Sequence, residues 1–353
     1  MTLELVWFVL AAASLAAYVV LDGFDLGVGI VHRFVSVSPA GRRLTMASIG
    51  PVWDGNEVWL LAAGATLFLA FPKLYAVGVG GFYLPVQILL WLYLGRGLAI
   101  EMKHHHVGGP LWDELWDTIF SASSLLIALF LGLALGNVVR GVSFGESGRF
   151  FAPLWTDLLP TSEKVGILDV YTLVVGATAA CGLALHGALW LAHRTEGEVA
   201  VRSGELAKRL CFGTGLLAAI TSAATLAIQP LARQAASERP WVLAFPIASA
   251  VAIAICGLEI TRRRHERAFF ASSAFLVAML GSASATLFPR LLPSAPGSPS
   301  EGITVMNAAT SQYALGVGLY WWIPGVLLAT TYFVRNYRRL PRRLRLEDLE
   351  EHR

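Results

Sequence analysis

The chain has 353 residues, 56% of them hydrophobic and only 14% charged, with a net charge of +3 and a mean hydropathy of +0.61. These values exclude a soluble globular domain and identify a polytopic membrane protein of all-α class. The small positive surplus needs no nucleic acid to explain it, because it is concentrated at one side of the predicted spans, where membrane lipid headgroups are its partners.

In chain order the apolar stretches fall at about 5–31, 47–71, 75–102, 116–139, 165–192, 210–229, 240–260, 268–292 and 313–334, each able to supply the roughly 20 residues a helical span requires. The first has no basic leader and no small-residue cleavage site ahead of it, so it reads as a retained span. The second carries Pro51, Asp54, Asn56 and Glu57 in its opening turns and is the least regular. The connection 140–164, with its RFFAPLW element, reads as an interfacial loop, and SAPGSPSEG after the eighth span is a Pro, Gly and Ser segment. No soluble domain fits between spans, so residues 1–353 form one transmembrane domain that ends in a basic tail, 335–353. Cys181, Cys211 and Cys256 lie in apolar runs without a CxxC pair and read as small packing residues rather than as a metal site.

Orientation follows from the basic residues. With the N-terminus outside, 20 of the 27 Lys and Arg fall on the inner side, which predicts a cytoplasmic C-terminus. Asp22 and Asp25 then lie in the inner half of the first span, and Asp54 and Glu57 in the inner half of the second. Each pair is spaced i, i+3, which sets its two carboxylates on one helix face about 5–6 Å apart at Cβ. Acids at membrane depth cost a few kcal/mol each and are kept for function, so these four are the candidate proton-carrying site. Gly23, Gly27, Gly29, Gly50 and Gly55 surround them and let neighbouring helices approach. A proton-coupled secondary transporter would also place acids in broken spans, but the acids here do not recur in matching halves.

YVVLDGFDLGVGI, GRRLTMASIGPVWDGNEVWLLAAGATLFLAFP, GNVVRGVSF, LALHGALWLAHRTEGE and NAATSQYAL together resemble subunit II of the cytochrome bd quinol oxidases, including the cyanide-insensitive branch. The resemblance runs from the first span to the last. It implies nine spans arranged as two four-helix bundles plus one additional helix, paired with subunit I in a pseudo-symmetric heterodimer. Haems b and d are then expected in subunit I, with none on this chain, in an enzyme that oxidises quinol and reduces dioxygen to water with protons drawn from the cytoplasm. By the same resemblance Asp54, in WDGN, belongs to a proton path; Glu57 and Asp22 join it as catalytic candidates from their placement in the spans alone. Asp25, in GFD, is expected near a bound quinone, and Asn56 in the same vicinity or as hydrogen-bond support. The resemblance leaves open a quinone on this chain and a small accessory subunit.

The remaining polar positions read more plainly. His186 and Met279 are the only deep candidates for axial ligands, too few for three haems, and His186 reads as a hydrogen-bonded packing residue. His104, His105 and His106 read as a solvated loop, Arg96 and Glu101 as side chains reaching the headgroups, and Asp113, Glu114 and Asp117 as capping and surface charges. Trp321 and Trp322 read as core packing residues.

Overall fold

A computed structural model describes residues 2–104, 109–161, 165–295, 300 and 302–350. His105 and His106 lie outside the described residues. The helices are α1 (Leu3–Val35), α2 (Pro39–Ala47), α3 (Trp53–Ala70), α4 (Pro72–Gly81), α5 (Tyr83–His104), α6 (Pro110–Arg140), α7 (Val170–Arg194), α8 (Gly197–Ile228), α9 (Pro230–Glu238), α10 (Ala244–Thr261), α11 (His265–Leu287), α12 (Val305–Ala308), α13 (Gln312–Arg339) and α14 (Leu346–Glu350). A short antiparallel pair, β1 (Arg290–Leu292) with β2 (Ile303–Thr304), brackets the Pro, Gly and Ser segment. Among the described residues eight helices are long and apolar enough to cross a membrane, and the bent pair α3–α4 makes nine if it is taken as one span.

The helices pack as two groups and one outlier. α7, α8, α10 and α11 close on one another, α1 packs with α3 and α6, and α6 with α5; α7 joins the groups through α1 and α6. α13 lies mainly against α1 and α3, with many of its large apolar side chains exposed. The α1–α7 crossing depends on Gly27 and Gly187, which face each other so closely that a Cβ on either would collide with the other helix's backbone. Glycine here serves close backbone approach, the means by which helices associate where no hydrophobic effect drives them together.

Two breaks shape the region around the acids. Pro51 stands in the turn between α2 and α3, and α3 starts at Trp53 rather than in the GRRLTMAS stretch, which forms the separate amphipathic α2 with Ser38 as its cap. Pro72 opens α4, which is bent by 118° from α3. The third apolar stretch, 75–102, is interrupted at Phe82. Pro85 has no N–H for the carbonyl of Gly81, which instead accepts from the Ala152 backbone at 3.2 Å, while the Phe150 ring occupies the space where a Gly81 side chain would stand. The RFFAPLW loop is thereby stitched onto this break, and its Phe151 and Trp155 remain exposed.

Candidate functional site

Asp22 and Asp25 sit side by side in the second half of α1, and both are fully buried. Their environments differ. Asp22 accepts from Arg96 of α5 through both oxygens, Nη2 to Oδ1 at 2.7 Å and Nη1 to Oδ2 at 3.2 Å, and Arg96 is itself fully buried. This is the two-pronged carboxylate geometry for which a planar guanidinium is suited. Asp25 has no ion pair among the described residues. Its Oδ2 accepts from Asn56 Nδ2 of α3 at 2.7 Å, and Asn56 Oδ1 accepts in turn from the Tyr337 hydroxyl of α13 at 2.8 Å. The other oxygen, Oδ1, is buried without a hydrogen-bond partner.

α3 brings Asn56 and Glu57 to this site because its helix begins just after the Pro51 turn, leaving the first turn of the helix directed at α1. The carbonyl of Ser48, in that turn, accepts from Trp190 Nε1 at 3.3 Å, which fixes the start of α3 relative to α7. Glu57 is partly open, with 29% of its side chain exposed, and its Oε2 lies 3.9 Å from Arg96 Nη1. Asp54 stands apart. It is exposed, and its Oδ1 accepts from the Gly55 backbone at 2.7 Å, at a helix N-terminus where negative charge is favoured. Tyr18 and Tyr93 join hydroxyls next to the Asp22–Arg96 pair, extending the polar cluster along α1 and α5.

The structure therefore gathers Asp22, Asp25, Asn56 and Glu57 and leaves Asp54 on the surface of the chain. It also corrects several expectations. Arg96 does not reach for headgroups; it is an interior cation paired with Asp22. The cationic donor stands at Asp22, which Arg96 of α5 reaches, while Asn56 of α3 and Tyr337 of α13 lie on the side of Asp25. Asp117 is not a surface charge. It is buried among His32 Nε2 at 3.1 Å, Arg42 at 3.1 Å and Lys103 at 3.0 Å, with Glu114 bridging Arg33 and Arg42 beside it. Glu101 is exposed.

A second buried ion pair lies at the opposite end of the bundle, where Arg140 meets Asp169, the residue that caps α7. Arg140 Nη2 also donates to Asn137 Oδ1 at 2.8 Å, and Gln229 Nε2 donates to the carbonyls of Val139 and Arg140 at 2.7 and 3.1 Å. GNVVR, a family signature in the sequence, supplies Asn137 and Arg140 of this network. The signal available was an Asn and an Arg at i, i+3 at the end of an apolar helix.

His186 is a packing residue, as expected. Its Nδ1 meets Ser272 Oγ at 2.6 Å, its Nε2 meets the Val20 carbonyl at 3.1 Å, and its ring stacks on Phe269. His32 likewise has both nitrogens engaged, by Thr45 and Asp117. Neither imidazole offers a nitrogen for axial ligation of a haem iron without breaking these bonds, so these residues do not fit a haem. Trp322 donates to Thr66 Oγ1 at 3.1 Å and packs edge-on against Trp7, whereas Trp321 is 80% exposed and is not core.

The family model for cytochrome bd terminal oxidase subunit II matches residues 3–340. The chain is 30% identical over 315 residues to the cytochrome bd ubiquinol oxidase subunit 2 of Bacillus subtilis, covering 88% of each chain. It is 28% identical to the cytochrome bd-I ubiquinol oxidase subunit 2 of Escherichia coli K12, over 99% of this chain and 97% of that one. The fold is similar to that of a chain in the solved bd oxidase of Geobacillus thermodenitrificans, with a TM-score of 0.75 at 18% identity, covering 96% of this chain and 98% of the other. The match across nearly the whole chain removes the transporter reading. The chain belongs to the cytochrome bd terminal oxidase subunit II family.

Proposed function

We propose that this chain is the subunit of a membrane quinol:oxygen oxidoreductase that holds no haem and supplies a proton-bearing group to the complex. Quinol oxidation and the haems b and d belong to its subunit I partner, and dioxygen is reduced to water. The basic end of the bundle, which carries the tail after α13, faces the cytoplasm, in keeping with the distribution of Lys and Arg.

The observation that carries the reading is the unequal treatment of two neighbouring acids. Asp22 is held through both oxygens by Arg96, a buried ion pair in which neither partner is exposed. Asp25 faces a neutral amide and keeps one oxygen without a partner. It is therefore the member able to hold an exchangeable proton in a poorly solvated site. Glu57, partly open and near Arg96, and Asp54, exposed one turn earlier on α3, form the approach from the cytoplasm. In this scheme a proton is taken up at Asp54, passes by Glu57 and reaches the buried cluster. Reduction of dioxygen to water consumes protons, which is what such a path serves.

Burial of Asp25 beneath α3 and α13 favours this relay over direct contact with a quinone. The test is co-expression with subunit I. The purified complex is expected to carry d-type haem absorption and to consume oxygen with quinol, while this chain expressed alone and folded binds no haem. A stoichiometric haem on the isolated chain would overturn the assignment.

A further inference from the structure

A cavity of about 1450 Å³ opens at the basic end of the bundle, and none of the four acids of the cluster lines it. Its walls are the C-terminal end of α7, the turn between α10 and α11, and the segment 341–348 that follows α13. That segment is fastened in place. Leu344 donates its backbone N–H to the Arg194 carbonyl at 2.8 Å, and the Glu196 N–H donates to the Leu344 carbonyl at 3.1 Å, so the last stretch of chain forms a fixed wall. The opposite wall is equally defined. Arg263 takes a left-handed conformation, φ 56°, at the end of α10, and the N–H groups of Arg263 and Arg264 return to the carbonyls of Ile260 and Glu259 at 2.9 Å each. This helix termination turns the arginine run toward the tail.

Seven arginines line the cavity against three carboxylates, Glu196, Glu266 and Asp348. Glu196 is already engaged by Arg345 at 2.7 Å and Arg343 at 4.0 Å, and Arg264 faces Glu259 at 4.0 Å. Arg194, Arg263, Arg267 and Arg342 have no carboxylate partner among the described residues. Two polar atoms in the lining are buried without hydrogen-bond partners, Arg194 Nε and His265 Nδ1. Arg194 is held in position by Trp190, whose ring lies 5.1 Å from the guanidinium carbon, and by a bond to the Arg342 carbonyl at 3.4 Å. Arginines outnumber carboxylates seven to three around this one space, and one guanidinium N–H, Arg194 Nε, is buried without an acceptor. Such an arrangement calls for an anion with many acceptor oxygens, and phosphate oxygens match the guanidinium fork better than a single carboxylate does.

We infer that this cavity is a binding site for a phosphate-bearing anion, held by Arg194, Arg263, Arg267 and Arg342. The volume accommodates more than one phosphate group, as in an anionic lipid headgroup or a soluble polyphosphate. The site stands independently of the proton path, so failure of either leaves the other intact.

The test uses the intact complex with subunit I, purified in detergent and stripped of lipid. One arm titrates inorganic pyrophosphate by calorimetry. The other adds phosphatidylglycerol and counts bound lipids by native mass spectrometry. Arg267→Gln with Arg342→Gln removes two exposed side chains, and Arg338→Gln with Arg339→Gln removes two exposed charges outside the cavity. Saturable binding in at least one arm, weakened roughly tenfold or more by the cavity variant and not by the control, supports the site, since charge-assisted bonds to phosphate are among the stronger polar contacts. Binding in the lipid arm alone identifies a headgroup, and binding of pyrophosphate identifies a soluble ligand. No saturable binding in either arm, or equal weakening by both variants, overturns the inference.

Discussion

Arg96 grips both oxygens of Asp22 at 2.7 and 3.2 Å with neither side chain exposed, and this pair divides the labour of the acidic cluster. Removing one partner leaves the other as an isolated buried charge, a loss of about 3–5 kcal/mol. Asp22→Asn and Arg96→Gln are each expected to reduce the yield of assembled complex severely on native gels. Replacing both by leucine removes both charges together and is expected to restore more assembly than either single change. Normal assembly of Asp22→Asn would show that Arg96 has another anion to hold it.

Asp25→Asn makes the opposite prediction. Asn can keep a bond with Asn56 after its amide turns, and no cation is left behind, so the complex is expected to form with normal haem content. It cannot carry a proton, and quinol-dependent oxygen consumption is expected to fall by roughly tenfold or more, the lower part of the range for losing a positioned proton-transfer group. Tyr337→Phe removes only the outer end of the same chain of bonds and is expected to have a smaller effect. Full activity of Asp25→Asn would make Asp25 structural.

Gly27 and Gly187 are tested by size alone. A single methyl at either position meets backbone of the opposing helix, and neither side can move without parting α1 from α7. Gly27→Ala and Gly187→Ala are each expected to lower the midpoint of thermal inactivation of the complex by several degrees or to prevent its assembly. A control at Gly64, which has open space around it, is expected to be silent. Equal behaviour of all three would mean that the helices do not pass so closely.

Asp117 anchors three basic side chains from three elements, α1, α2 and α5. Asp117→Asn leaves His32, Arg42 and Lys103 facing one another without their shared anion. A clear loss of stability is expected in thermal inactivation, larger than that of Asp113→Asn, whose carboxylate is 45% exposed and whose loss costs little. Equal effects would place the stabilising charge elsewhere.

Much of this was legible in the sequence. Hydropathy located the long apolar helices but not their breaks, and the acids stood out because carboxylates are rare at membrane depth. Their partners were less legible, because pairing is set by which helix faces meet. Nothing local distinguishes Asp22 from Asp25, and Arg96 near the end of an apolar stretch looks the same whether it reaches outward or turns inward. Asp117 looked like a helix-start acid for the same reason. The interruption at Phe82 was hidden because a proline near the start of a helix costs nothing there, and only the Ala152 backbone reveals that the Gly81 carbonyl went elsewhere. The Asn137–Arg140–Asp169 network joins residues on both sides of a long loop, a closure that no spacing rule predicts.

In the proposed scheme, acids of this subunit deliver protons to an oxidase whose redox centres lie in its partner. The most direct test is the quinol-dependent oxygen consumption of the purified complex carrying Asp54→Asn, compared with the unaltered complex at matched haem content. Asp54 is exposed and its only side-chain bond described is to its own helix, so the substitution is expected to leave assembly and haem spectra intact. Activity is expected to fall by roughly tenfold or more, with partial recovery in Asp54→Glu. Activity equal to that of the unaltered complex would contradict the scheme.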